Sequence, residues 1–152
     1  MPATTSSTSL FARTARAHAA AAQFFDRLQP LAALAIRLYV ARVFLASGLT
    51  KLDDWNLTVA LFENEYRVPL LSPAVAALAG TAAELVLPVL LLLGLSTRFA
   101  ALALFAFNVV AVISYPDLSD AGLKDHVLWG ALLAVLAVYG PGKLALDRFL
   151  AR

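Results

Sequence analysis

The chain has 152 residues with no cysteine, a single methionine and only two histidines. Without a thiolate it can build no cysteine-ligated iron–sulfur site, no disulfide relay and no persulfide intermediate. Only one histidine, His126, falls at an apolar segment, which excludes a bis-histidine haem within one chain. No Gly-rich dinucleotide fingerprint is present, and no metal site is expected. The chain therefore carries no intrinsic cofactor, and any redox chemistry has to run through a bound quinone or another subunit. Charge is scarce as well: Asp, Glu, Lys and Arg make up 14% of the residues, against about a quarter in soluble proteins.

Apolar residues fill the gap, at 61% of the sequence with a mean hydropathy of +0.79. Four long apolar runs, at 31–51, 73–95, 98–115 and 123–140, each suffice at roughly 1.5 Å per residue to cross a hydrocarbon core of about 30 Å. The fourth is marginal, because Lys124, Asp125 and His126 occupy its expected first turn and must snorkel or tilt. These runs predict an all-α, polytopic membrane four-helix bundle spanning residues 31–150. A soluble helical core is the competing reading, but so few polar residues leave little to cover it.

Lys and Arg set the expected orientation. Arg13, Arg16 and Arg27 precede the first run, Arg98 follows the short second connection, and Lys143, Arg148 and Arg152 follow the fourth. Asp53, Asp54, Glu63, Glu65, Asp117 and Asp120 fall on the other side. The positive-inside rule then places both termini in the cytoplasm. The net charge of +2 reflects this topology and forms no nucleic-acid patch.

Residues 1–30 contain no continuous apolar core and so do not read as a cleavable secretory signal. Their Ser, Ala and Arg content, without an acid before Asp26, also occurs in mitochondrial transit peptides. The simplest expectation is a flexible cytoplasmic arm to about Thr8, followed by an amphipathic helix over 10–28 lying on the inner surface. In the first outer loop, Asp54 is expected to cap a short extra helix from Trp55 to about Asn64, with Trp55 and Tyr66 as interfacial anchors.

Helical faces narrow the candidates further. At about 100° per residue, Arg37 and Lys51 share the small-residue face of the first run with Ala33, Ala41 and Gly48, whereas Arg42 lies about 140° from Arg37 among leucines. Glu84 shares its face with Ala77, Gly80, Thr81 and Pro88, and a lone carboxylate in lipid needs a partner. Depth favours Arg42 as that partner and facing favours Arg37. The expectation adopted is an Arg37–Glu84 pair with Asn108 as a further donor, and with Lys51 reaching outward to Asp53 or Asp54. Pro88 cannot donate to the Glu84 carbonyl, which leaves a free acceptor there. A structural ion pair that fixes helix register competes with a ligand or proton site made of Arg37, Lys51, Glu84 and Asn108. Tyr115, His126 and Trp129 form a secondary candidate at the outer face, where an interfacial belt competes with a quinone edge.

Four segments, taken in order, resemble the DoxX family of small bacterial membrane proteins. They are Arg37-Leu-Tyr-Val-Ala-Arg-Val-Phe-Leu-Ala-Ser-Gly-Leu-Thr-Lys51, Glu65-Tyr-Arg-Val-Pro-Leu-Leu71, Glu84-Leu-Val-Leu-Pro-Val-Leu-Leu-Leu-Leu-Gly-Leu-Ser-Thr-Arg98 and Gly140-Pro-Gly-Lys-Leu-Ala-Leu-Asp147. The resemblance runs from about Leu31 to Leu150 and implies a four-helix inner-membrane bundle. Arg37, Lys51, Glu84, Arg98 and Asp147 fall on the family's characteristic positions, with Ser47, Gly48, Pro88, Gly140, Pro141 and Gly142 completing its structural motif. Ala145 stands where the family usually has Ser, which puts a cytoplasmic capping contact in question.

Some members of that family are subunits of a thiosulfate:quinone oxidoreductase, and others resemble membrane partners of oxidative-stress enzymes. Two classes of function therefore stay open. One is a quinone-linked accessory subunit that acts with a redox enzyme or periplasmic partner in the bacterial inner membrane, alone or as a homo-oligomer. The other is a non-enzymatic scaffold or small permease, for example in a metal-handling or peptide-modification system. The orientation is directly testable: with cysteines placed singly at Ser6 and Asn64, an impermeant thiol reagent applied to intact cells should label only Asn64→Cys. Labelling of Ser6→Cys would reverse the topology.

Overall fold

The computed structural model describes residues 5–150. It is helical throughout: α1 (Thr5–Asp53), α2 (Trp55–Asn64), α3 (Pro73–Leu93), α4 (Thr97–Ser114), α5 (Asp120–Tyr139) and the short α6 (Asp147–Leu150). Four of these helices are long and apolar enough to cross a membrane, yet only 28, 39, 33 and 17% of their most apolar windows is buried inside the protein. Leu38, Leu78, Phe99, Ile113 and Val138 point outward. Apolar side chains on the outside and polar ones within are what lipid, not water, stabilises. The four-helix membrane bundle expected from the sequence is the fold observed.

α1 packs chiefly on α3 and α4 on α5, with α3 against α4 closing the bundle. Val40, Ala41, Phe44, Leu91, Leu104, Leu133 and Leu136 form its core. The helix boundaries have local causes. The Asp54 carboxylate accepts the Leu57 N–H at 2.9 Å and starts α2 where the sequence placed it. Ser119 caps α5 by accepting the Gly122 N–H, so that helix starts at Asp120 and not at 123. The three added residues move Lys124, Asp125 and His126 out of the first turn and give the marginal span its length.

The N-terminal region departs from expectation. Residues 1–4 of the expected flexible arm lie outside the described residues, while Thr5–Thr8 already belong to α1. The helix expected on the membrane surface is continuous with the first span, passing through Pro30 over 49 residues, or about 73 Å. Proline removes one backbone bond, to the Asp26 carbonyl, but good helix formers on either side, Arg27, Leu28 and Gln29 before it and Leu31, Ala32 and Ala33 after it, propagate the helix across that single loss.

One end of the bundle is locked by Arg37, which is 1% exposed. Its Nε donates to the Leu91 carbonyl at 2.6 Å and its Nη2 to Leu92 at 2.7 Å. Nη1 donates to Leu144 at 2.8 Å and to Pro141 at 3.3 Å. These acceptors are the last carbonyls of α3 and those of the turn after α5, so the cation sits at the negative end of the α3 dipole. Gly94, in the left-handed region at φ 68°, makes room: a Cβ there would stand 2.6 Å from both Arg37 Nη2 and the Ala145 methyl. Asp147 completes the lock by accepting the N–H groups of Ser96 and Thr97 at the start of α4. Partial burial pushes its carboxyl up, but those two donors outweigh burial and hold it below the ordinary carboxylate range. The cap is thus intact despite Ala145, which is buried and packs against Gly94.

Arg37→Met should leave four carbonyls without their shared donor and lower stability by at least about 3 kcal/mol. Arg42 is exposed, so Arg42→Met should change stability by less than about 0.5 kcal/mol. Denaturant unfolding of the two variants in micelles compares them. Equal losses would show that the carbonyl cluster does not depend on Arg37.

Candidate functional site

The anticipated Arg37–Glu84 pair is not formed. Glu84 pairs with Lys51, whose Nζ lies 2.7 Å from Oε2. The Ser47 hydroxyl donates to Glu84 Oε1 at 3.1 Å and accepts from Lys51 Nζ at 2.9 Å. The side chains of Lys51 and Glu84 are 17% and 7% exposed. Register decides the matter. Gly48 packs level with Glu84, where an added Cβ would lie 3.0 Å from the Glu84 Cβ. Arg37 is eleven residues earlier on α1, roughly 16 Å away along the axis, which no single turn of offset bridges. Lys51 is three residues past Gly48 on the same face and turns inward to Glu84, not outward to Asp53 or Asp54.

Asn108 likewise has a different partner. Its Nδ2 donates to the His126 carbonyl at 2.9 Å, which turns Oδ1 toward His126 Nδ1 at 2.7 Å. With the amide oriented by that carbonyl, Nδ1 is assigned as the ring donor, which in a neutral imidazole leaves the lone pair on Nε2. Gly130 permits this contact, since a Cβ would stand 3.3 Å from Asn108 Nδ2.

The Lys51–Glu84 pair and His126 line one cavity of about 370 Å³ at the α2 end of the bundle. Two of the four primary candidates, Lys51 and Glu84, line it together with the secondary candidates Tyr115, His126 and Trp129. Arg37 sits at the opposite end, and Asn108 acts from behind His126. Two aromatic clusters line the space. In one, Tyr66 stacks on Phe62 at 4.7 Å and meets Tyr115 at a tilt at 5.1 Å. In the other, Phe44 meets Phe107 and Trp129 edge-on, and Trp129 meets His126 at 4.8 Å.

Tyr66 is consequently a wall of the cavity and half-buried, where the sequence suggested an interfacial anchor. Burial, reinforced by the Tyr115 phenol, pushes its pKa above the ordinary tyrosine range, so it presents a neutral hydroxyl. The backbone holds this wall in place: the Arg67 N–H donates to the Ser114 carbonyl at 2.7 Å, and the Thr58 hydroxyl donates to the Lys51 carbonyl at 2.8 Å. Ser114 and Phe62 had no signal of their own in the sequence, since both depend on how α2 folds back. Ser47 had one, lying one turn before Lys51.

The remaining motif residues are structural. Pro88 is buried within α3. Arg98 is exposed and its guanidinium lies beside Gly140, which has φ 82°. Pro141 supplies a carbonyl to Arg37, and Gly142 packs on Pro30. Among the described residues no group of His, Asp and Glu could hold a metal ion.

A four-helix membrane bundle with a polar-floored aromatic cavity at one end and an arginine lock at the other defines the class of protein. The sequence model of the DoxX family matches residues 32–117, and the chain belongs to that family. A relative from Haemophilus influenzae, named only as an uncharacterized protein, is 34% identical over 123 residues, which cover 75% of this chain and 80% of the relative. No solved structure matches the chain.

Breaking the buried pair should cost more than removing it. Lys51→Met or Glu84→Leu alone strands a charge and should lower stability by about 3–5 kcal/mol, while the double variant should recover most of that loss. Unfolding curves of the four proteins measure the coupling. Strictly additive losses would mean that the two groups stabilise the bundle independently.

Proposed function

We propose that this protein is a quinone-binding accessory subunit of the bacterial inner membrane, acting with a partner redox enzyme of the sulfur- or thiosulfate-oxidising type. Its α2 end faces the periplasm and both termini the cytoplasm, as the distribution of Lys and Arg supports. The observation that carries this reading is the cavity: a space lined by two aromatic clusters with a hydrogen-bonded Lys–Glu–Ser cluster beside it. A planar ring with oxygen substituents matches that chemistry, since the walls offer π-faces and the cluster offers both a donor and a carboxylate acceptor.

A bound quinone supplies two-electron, two-proton redox chemistry, with the electrons exchanged with the partner enzyme. Residues of this chain bind and orient the ring and handle protons. Lys51 would hold a ring oxygen by giving up its 3.4 Å bond to the Ser47 carbonyl, Glu84 would serve as the proton acceptor beside it, and Nε2 of His126 could accept from the hydroxyl of a reduced ring.

One observation favours the scaffold reading. Both Glu84 oxygens are already engaged by Lys51 and Ser47, as a register-fixing lock requires. Glu84→Gln separates the two readings, because the amide can still accept from Lys51 and keep the fold while removing the proton acceptor. Wild-type protein purified from its native membrane should carry quinone, and membranes containing its partner should reduce quinone in a thiosulfate-dependent way. The variant should fold, retain bound quinone and lose most of that reduction. Equal reduction in both, or wild-type protein without quinone, supports the scaffold.

A further inference from the structure

At the Arg37 end of the bundle, the turn between α3 and α4 is tied to the segment that follows α5. The Leu146 N–H donates to the Leu93 carbonyl at 3.3 Å and the Asp147 N–H to that of Gly94 at 2.8 Å. In return the Asp147 carboxylate accepts the N–H groups of Ser96 and Thr97. Arg98 belongs to the same junction, since its Nε would lie 3.4 Å from a Cβ placed on Gly140. The backbone thus gathers three cations, Arg98, Lys143 and Arg148, and all three are exposed. None of their side chains makes a hydrogen bond or an ion pair among the described residues, where the ion pair formed is Lys51–Glu84. Asp147, the acid within these two segments, already has one oxygen held by Ser96 and the other by Thr97.

Depth and neighbours say what such a cluster meets. Arg98 stands in the first turn of α4 and Lys143 just past the end of α5, so the cations lie where two spans leave the hydrocarbon, at headgroup level. Leu93, Phe99, Leu144 and Leu146 are exposed around the same junction, which gives the patch an apolar part beside its charges. From this placement we infer that the junction of the α3–α4 turn with the segment after α5 binds an anionic phospholipid, its phosphate on the cations and its acyl chains along the exposed leucines. This does not depend on the quinone reading. The Arg98 guanidinium, with its donors uncommitted, can take two phosphate oxygens at once. Lys143 and Arg148 add positive charge that favours a lipid of net negative charge over one whose phosphate is balanced by its own choline. An acidic protein surface would match the cations alone, but not leucines exposed at the edge of the hydrocarbon.

The test uses full-length protein in dodecyl maltoside micelles, titrated with dioleoylphosphatidylglycerol or dioleoylphosphatidylcholine, with bound lipid counted by native mass spectrometry. Wild type should bind the glycerol lipid at least about tenfold more tightly, each cation contributing roughly fivefold. In Arg98→Gln/Lys143→Gln/Arg148→Gln the preference should shrink to within about twofold. Arg13→Gln/Arg16→Gln removes charge from the α1 extension instead and should keep the full preference. A wild type that binds both lipids equally would overturn the inference and leave the cluster to an acidic partner. So would a triple variant that keeps the preference, or an Arg13/Arg16 variant that loses as much of it. If the triple variant does not fold, Lys143→Gln decides: roughly fivefold weaker binding of the glycerol lipid is expected, and unchanged binding overturns the site.

Discussion

The Arg37 guanidinium gathers the carbonyl ends of α3 and of the turn after α5 around one buried cation. The Leu91 end of α3 is buried in the bundle, so its terminal carbonyls need a donor brought to them. Arg37 brings several at once from a third element, α1. The planar fork fits this task because its N–H groups diverge toward different acceptors, which a lysine ammonium on a single point cannot reproduce. Its charge is compensated by the α3 dipole and by the nearby Asp147 carboxylate, not by an ion pair. Gly94 and Ala145 are small because the guanidinium fills their space.

That lock leaves the other end of the bundle free to be hollow. With α1, α3 and the C-terminal segment joined around Arg37 and with Asp147 capping α4, the α2 end does not have to supply close packing to hold the helices together. It carries instead the Lys51–Glu84–Ser47 cluster, the Asn108–His126 pair and the aromatic walls. Glu84 is paired with Lys51 and Ser47, and Asn108 with His126, so these groups hold fixed positions around an open space, while the Thr81 and Ser114 hydroxyls have no partner among the described residues. Polar residues at both ends are costly in a membrane. At one end the cost is offset by closing backbone ends, and at the other by pairing Glu84 with Lys51 and Ser47, and Asn108 with His126, around the cavity.

Much of this was legible from residue spacing. The four spans followed from apolar run length, the α2 helix from Asp54 at its N-cap, and the inward face of Arg37 and outward face of Arg42 from angular position alone. The partner of Glu84 was not, because two cations on one face differ only in depth, and depth depends on the register between antiparallel helices. Gly48 held that information: a glycine on the Glu84-facing side marks a close approach of α1 to α3, but its meaning appears only once the contact is known. The start of α5 was missed because Ser119-Asp120 reads as loop until the capping bond to Gly122 is seen. Phe62, Tyr66 and Ser114 meet through the fold-back of a loop, which has no periodicity to read.

The α2 helix joins the site to the surface. It is too short to cross the membrane, and it packs mainly on α3. Through Phe62 it forms part of one cavity wall, and through the Thr58 hydroxyl it holds the Lys51 carbonyl at the end of α1. The segment after it carries Tyr66 and is tied to Ser114 by the Arg67 N–H. Trp55, Leu57 and the acids Glu63 and Glu65 remain exposed on the same element. A displacement of α2 would therefore shift an aromatic wall, the Lys51 end of the ion pair and the Ser114 hydroxyl together. The cavity is coupled through this one short helix to the face of the bundle that lies outside the four spans, whereas the Arg37 lock, at the far end, is insulated from it by the packed core around Leu91, Leu104 and Leu133.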